Sequence, residues 1–176
     1  MSNVNWELYE DISMLESAYV LENESLLEAF IIPNKKKLDD PDYVNNLIKT
    51  INTVDNIEKD TFKIVRFIDK VYVVIMSLTI IGIPIALLMN ALSKLQLKIC
   101  NKITDFTSLK SFEKSIECMN KAIKDLEKQK SDANATEKAK IEKAIKQLED
   151  NKVKMQEAMK KAEKRIKEAE DKKKKK

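Results

Sequence analysis

The chain has 176 residues, enough for one compact domain, and 35% of them are charged, with a formal net charge of +4. One glycine and three prolines argue against β architectures, which use many tight turns, and a lone glycine excludes either common glycine-rich phosphate loop. The absence of histidine removes the commonest general base and the commonest metal ligand.

The expected fold class is all-α, built from long helices. Residues 1–33 read as an amphipathic helix with Leu8, Ile12, Leu15 and Tyr19 on one face. Its polar side is acidic (Glu7, Asp11, Glu22, Glu24, Glu28), whereas membrane-surface helices put Lys and Arg there. Packing on other helices is therefore the favoured reading. The N-terminus has no basic region followed by an apolar core, so no cleavable signal is expected. Pro33 and the following Asn-Lys-Lys-Lys break the pattern. Residues 34–70 restart it: Asp40 is placed to cap a helix that opens on Pro41. Val44, Leu47, Ile48, Ile51, Val54, Phe62, Val65 and Ile68 then recur at helical spacing. This stripe runs on without a breaker, which predicts one continuous helix into the next segment.

Residues 71–93, VYVVIMSLTIIGIPIALLMNALS, contain no charged side chain, and Lys70 and Lys94 bound them. A helix of that length spans about 35 Å, against a hydrocarbon core of about 30 Å. The expected element is a central apolar helix, transmembrane or buried in an oligomer core. Val71, Val74, Ile75, Leu78, Ile81, Pro84, Leu87 and Leu88 are its candidate membrane or core residues. Pro84 lacks the N–H that would bond the Ile80 carbonyl, which predicts a kink. A hairpin at Gly82–Pro84 is the alternative, with arms too short to cross a bilayer.

Residues 94–176 are basic, with 25 Lys/Arg against 15 Asp/Glu, whereas residues 1–70 hold 8 against 14. Leu109, Phe112, Ile116, Met119, Ile123 and Leu126 step alternately by 3 and 4. Ser131–Thr136 forms a polar loop in which Thr136 is placed as the N-cap. Ile141, Ile145, Leu148, Met155, Met159 and Ile166 then repeat the stepping, interrupted only by Lys152. Two such helices predict an antiparallel coiled-coil hairpin. A turn near 133–134 sets Leu126 against Ile141, Met119 against Leu148 and Phe112 against Met155. The same register, extended, brings Lys172, Lys173, Lys174, Lys175 and Lys176 beside residues 91–95. Beside a bilayer these five would contact anionic lipid, each adding about 1 kcal/mol. Charges such as Glu113/Lys114 and Glu137/Lys138 read as a solvated exterior. Cys100 and Cys118 form no metal pattern and read as reduced, packed thiols.

No catalytic, cofactor or metal constellation is expected, and no small-molecule substrate. Lysines interleaved with glutamates make specific nucleic-acid binding unexpected. The leading expectation is a non-enzymatic, membrane-anchored structural or adaptor protein, single-pass, presenting its hairpin for self-association or a protein partner. Lysines are nearly balanced across the run, and only the basic C-terminal bias places the coiled coil on the cytoplasmic side. The alternative is a soluble structural component of a large assembly, such as a virion, scaffold or tail protein. A pore-forming or holin-like protein is the third reading.

Overall fold

The computed structural model describes residues 35–54 and 61–174, and the helix expected within residues 1–33 lies outside them. The described residues are all-α. They comprise α1 (Lys35–Leu38), α2 (Pro41–Asn52), α3 (Thr61–Met76), α4 (Ile83–Ile99), a 3₁₀ turn (Cys100–Lys102), α5 (Phe106–Asp132) and α6 (Ala135–Lys174).

The helix starts follow local chemistry. Asp40 caps α2 by accepting from the N–H groups of Asp42 (2.9 Å) and Tyr43 (3.4 Å), with Pro41 in the first turn. Asp105 caps α5 through the Ser108 N–H at 2.7 Å. The cap of α6 is Asn134 rather than Thr136. Its side chain accepts from the Glu137 N–H (3.0 Å), and its own N–H donates to the Glu137 carboxylate (3.2 Å). This reciprocal pair satisfies two groups, and Thr136 falls inside the helix.

The expected continuous helix from Pro41 into the apolar run does not form, because α2 ends at Asn52. The Thr50 and Thr53 hydroxyls bond back to the carbonyls of Asn46 (2.9 Å) and Thr50 (2.8 Å), which competes with helix continuation. Nor is Val71–Ser93 one helix. Val71–Met76 finish α3, Ser77–Gly82 form a bend, and Ile83 opens α4. Pro84 lies in the first turn of α4, where its missing N–H costs nothing, so it starts a helix instead of kinking one. Among the described residues, one helical stretch, Ile83–Lys102, is long and apolar enough to cross a membrane, and 61% of its most apolar part is buried inside the protein.

Helix α4 is central: it packs against α2, α3, α5 and α6. Polar contacts give the directions. Lys114 of α5 meets Asp69 of α3, and seven residues on Lys121 meets the Met76 carbonyl, so α3 and α5 run parallel. Gln129 meets Ile81 while Gln96 meets Ser115, so α4 and α5 are antiparallel. Lys130 pairs with Glu142 (2.9 Å) and Lys152 with Asn120 (3.2 Å), so α5 and α6 form an antiparallel pair. The α3–α4 hairpin thus lies along the longer α5–α6 hairpin in an up-down-up-down bundle.

One core joins all these elements. Leu109, Phe112, Met119 and Leu126 of α5 are buried with Ile141, Ile145, Leu148, Met155, Met159 and Ile166 of α6, whereas Ile116 and Ile123 are half-buried. Helix α5 has a second buried face of small residues, Ser111, Ser115, Cys118 and Ala122, between the α6 seam and the apolar hairpin. Leu148→Ala should therefore cost about 2–5 kcal/mol. Ile116→Ala should cost distinctly less, as read from urea denaturation by circular dichroism. Equal losses would contradict this packing.

Candidate functional site

The break in the apolar run is the most elaborately held point of the fold. A helix end leaves carbonyls without partners, and those on the buried side of a bend, beside Leu78 and Ile81, need partners from the protein. At the end of α3, the Val74 carbonyl accepts from the Ser77 N–H (3.1 Å) and hydroxyl (2.6 Å), and the Ile75 carbonyl from the Leu78 N–H (3.0 Å). Four further groups are met by α5. Lys121 Nζ donates to the carbonyls of Met76 (3.0 Å) and Leu78. Asp125 accepts the Ile81 N–H at 3.1 Å, and Gln129 Nε2 donates to the Ile81 carbonyl at 2.8 Å. Lys121, Asp125 and Gln129 are spaced four apart, one per helical turn, so a single edge of α5 reaches Met76, Leu78 and Ile81.

Two further contacts tie the hairpins together. Arg165 Nη2 of α6 donates to the carbonyls of Cys100 (3.0 Å) and Ile103 (2.7 Å), placing a cation where the end of α4 carries partial negative charge. Asn151, buried beside the interrupting Lys152, donates to the Asn90 side chain of α4. A polar knot lies deeper. Gln96 donates to Ser115 at 2.7 Å, and Ser115 donates to the Ser111 carbonyl at 3.0 Å. Tyr72 Oη, which Ser115 also approaches, is left buried without a well-formed hydrogen bond, as are Gln96 Oε1 and Ser111 Oγ.

Of the residues expected in the apolar segment, Val71, Val74 and Ile75 are buried in α3, Leu78 and Ile81 in the bend, and Leu88 in α4. Pro84 and Leu87 are exposed on one row of α4. The lysine tail does not return beside residues 91–95. Because Arg165 is level with Cys100 and Ile103, α6 runs on past the end of α4, and every described residue after Ile166 is exposed, through Lys174. The extrapolated register assumed a straight chain from residue 91 to 126. The chain instead reverses between Ile99 and Phe106, so residues 91–95 lie at the level of Asn151 and beyond. Lys175 and Lys176 lie outside the described residues.

The clamp residues Lys121, Asp125 and Gln129 were missed because polar residues at helical spacing read as a solvated face. Their sequence signal is the four-residue step next to the Ser-Ser-Cys-Ala face. Both thiols are free and buried. Burial pushes the Cys118 thiol up to about 12, with Lys121 opposing, and burial also raises Cys100, with Arg165 opposing. Neither is poised as a nucleophile. Among the described residues no group of three or more Cys, Asp or Glu is placed to hold a metal ion.

No protein-family model matches this chain, and neither a curated protein nor a solved structure matches it significantly.

Asp125→Leu and Gln129→Leu each strand one backbone group of Ile81 and should cost about 1–3 kcal/mol. Because both serve the same residue, the double variant should cost less than the sum, measured by denaturant unfolding. A second expectation concerns alkaline pH. The Cys118 and Tyr72 pKa values are raised by burial in the fold, so the native state holds protons that the unfolded chain releases. Their stabilising contribution is intact below the unfolded thiol pKa near 9 and is lost as pH rises toward 12. Cys118→Ala and Tyr72→Phe should each flatten the fall of stability over that range in pH-dependent urea melts.

Proposed function

We propose that this protein is a non-enzymatic structural or adaptor protein whose apolar run serves as the core of its own bundle. In this reading the α5–α6 hairpin, packed as a coiled coil, is the rigid element offered to a second copy or a protein partner. The observation that carries it is the clamped bend. Lys121, Asp125 and Gln129 satisfy backbone groups that a continuous bilayer-spanning helix would satisfy internally. The C-terminal arm of α6 beyond Ile166 supplies an exposed helical surface rich in Lys and Glu, suited to polar contacts in an assembly. This favours the soluble-component expectation over the single-pass anchor.

A second reading rests on α4. Ile83–Lys102 meets the length and composition of a membrane span, so a single-pass anchor would require α4 to leave the bundle. Two costs weigh against it: the loss of the clamp contacts, and the transfer of Lys94 and Lys98 toward lipid. Carbonate extraction and flotation of the expressed protein separate the two. The packed reading expects release into the soluble fraction as a defined species by light scattering. Retention with lipid after carbonate would overturn it in favour of the anchor.

A further inference from the structure

Helix α3 carries an exposed apolar edge beside α5. Phe62, Asp69 and Met76 follow one another at seven-residue steps, with Arg66 and Val73 between them, so all five share one side of α3. Phe62 is 64% exposed and Met76 40%. Arg66 is exposed with its guanidinium over the Phe62 ring (5.6 Å), and Asp69 and Val73 are half-buried. On α5, Thr107, Lys114 and Lys121 likewise step by seven, and the exposed Lys110 and Glu117 flank them. The two rows are neighbours. Asp69 pairs with Lys114 at 3.1 Å, and the Met76 carbonyl accepts from Lys121 at 3.0 Å. Both contacts join residues 45 apart in two parallel helices, so each level of one row is fixed against the other. The rows form one outward face about 20 Å long, with Phe62 near one end and Met76 near the other. Lys63 and Lys70 lie further round α3, and Glu113 and Lys124 further round α5.

This face holds both signs: Arg66, Lys110 and Lys114 against Asp69 and Glu117. Such a mixture is poorly matched to a surface of one charge. It matches itself where a two-fold axis sets opposite signs against each other. The centre of the face is the Asp69–Lys114 bridge. A second copy turned end over end about that point lays α3 over α3 and α5 over α5, each pair antiparallel. Phe62 and Met76 are equally far from Asp69, so Phe62 of each copy meets Met76 of the other. Lys110 precedes Lys114 by about as much as Glu117 follows it, so each Glu117 meets the other copy's Lys110. Arg66 comes within about one turn of the other copy's Asp69. The two Asp69 carboxylates near the axis each keep their own Lys114.

We propose that a second copy covers this face in an antiparallel two-fold dimer, with Phe62 and Met76 as its apolar contacts and Glu117 with Lys110 as its charged ones. The inference rests on the packed, structural reading and names the partner as a second copy, held through α5 of the offered hairpin together with α3. A face of this size belongs with weak, reversible contacts.

The test is sedimentation of the full chain over a range of concentrations. The wild type should pass from monomer to dimer and stop there, because a two-fold contact closes. Phe62→Asp with Met76→Asp should weaken the dimer about tenfold or more, with helix content by circular dichroism unchanged, since both sites are exposed. Glu117→Lys and Lys110→Glu should each weaken it, because each sets like charges together, and the two combined should restore it. Phe62→Cys with Met76→Cys should be joined between copies by a short thiol cross-linker, whereas Phe62→Cys alone should not. Within one chain these positions are about 21 Å apart, beyond the linker's reach, and Cys100 and Cys118 are buried. A wild type monomeric at every concentration, a dimer indifferent to the aspartates, a charge exchange that fails to restore association, or cross-linking of Phe62→Cys alone would overturn the proposal. Retention with lipid after carbonate would instead overturn the packed reading itself.

Discussion

The constraint on which this structure depends is the satisfaction of backbone polar groups where an apolar segment turns. From Met76 to Ile81 the chain leaves one helix and enters another with buried Leu78 and Ile81 on either side. Carbonyl and N–H groups stranded on its buried side, at Leu78 and Ile81, cost more than most single contacts return. Lys121, Asp125 and Gln129 remove that penalty, and because they come from one edge of α5 they also fix where the hairpin sits along it. The seam between α5 and α6 then sets α6, and Arg165 closes the far end of α4.

Polar groups are used inside the bundle as position markers. The Asn90–Asn151 contact fixes α4 against α6, and the Gln96–Ser115 contact fixes α4 against α5. Apolar surfaces slide past one another at small cost, whereas a buried amide displaced by a turn loses its partner. Tyr72 Oη, Gln96 Oε1 and Ser111 Oγ show the opposite side of this arrangement, since their burial without well-formed bonds lowers stability. The bundle therefore combines a strongly apolar centre with a few polar contacts that select one register. Both thiols are buried in it, and burial raises the pKa of each.

Much of the fold was legible from periodicity. The 3–4 stepping of Leu109 to Leu126 and of Ile141 to Ile166 located α5 and α6, and Asp40-Pro41 marked the start of α2 to the residue. Other features were illegible for physical reasons. Pro84 carries the same local meaning whether it kinks a helix or begins one, and only the bend before it decides between them. Lys121, Asp125 and Gln129 have the composition of a solvated face, and their role appears only when the Ile81 backbone lies beside them. The tail register failed because arithmetic along α5 continued through residues that fold back as a separate helix.

By itself, the sequence determined that this protein is helical, that most of residues 71–93 are withdrawn from water, and that two heptad-patterned helices follow them. These follow from side-chain period and transfer energy, which are local quantities. Tertiary structure alone decided how the apolar run is withdrawn. Length and hydropathy fit a straight span, but they do not record whether a neighbouring helix can satisfy a break. The clamp on α5 makes that break affordable, and the run becomes the two arms of a hairpin packed inside the bundle, with Met76, Ile80 and Leu87 left outside.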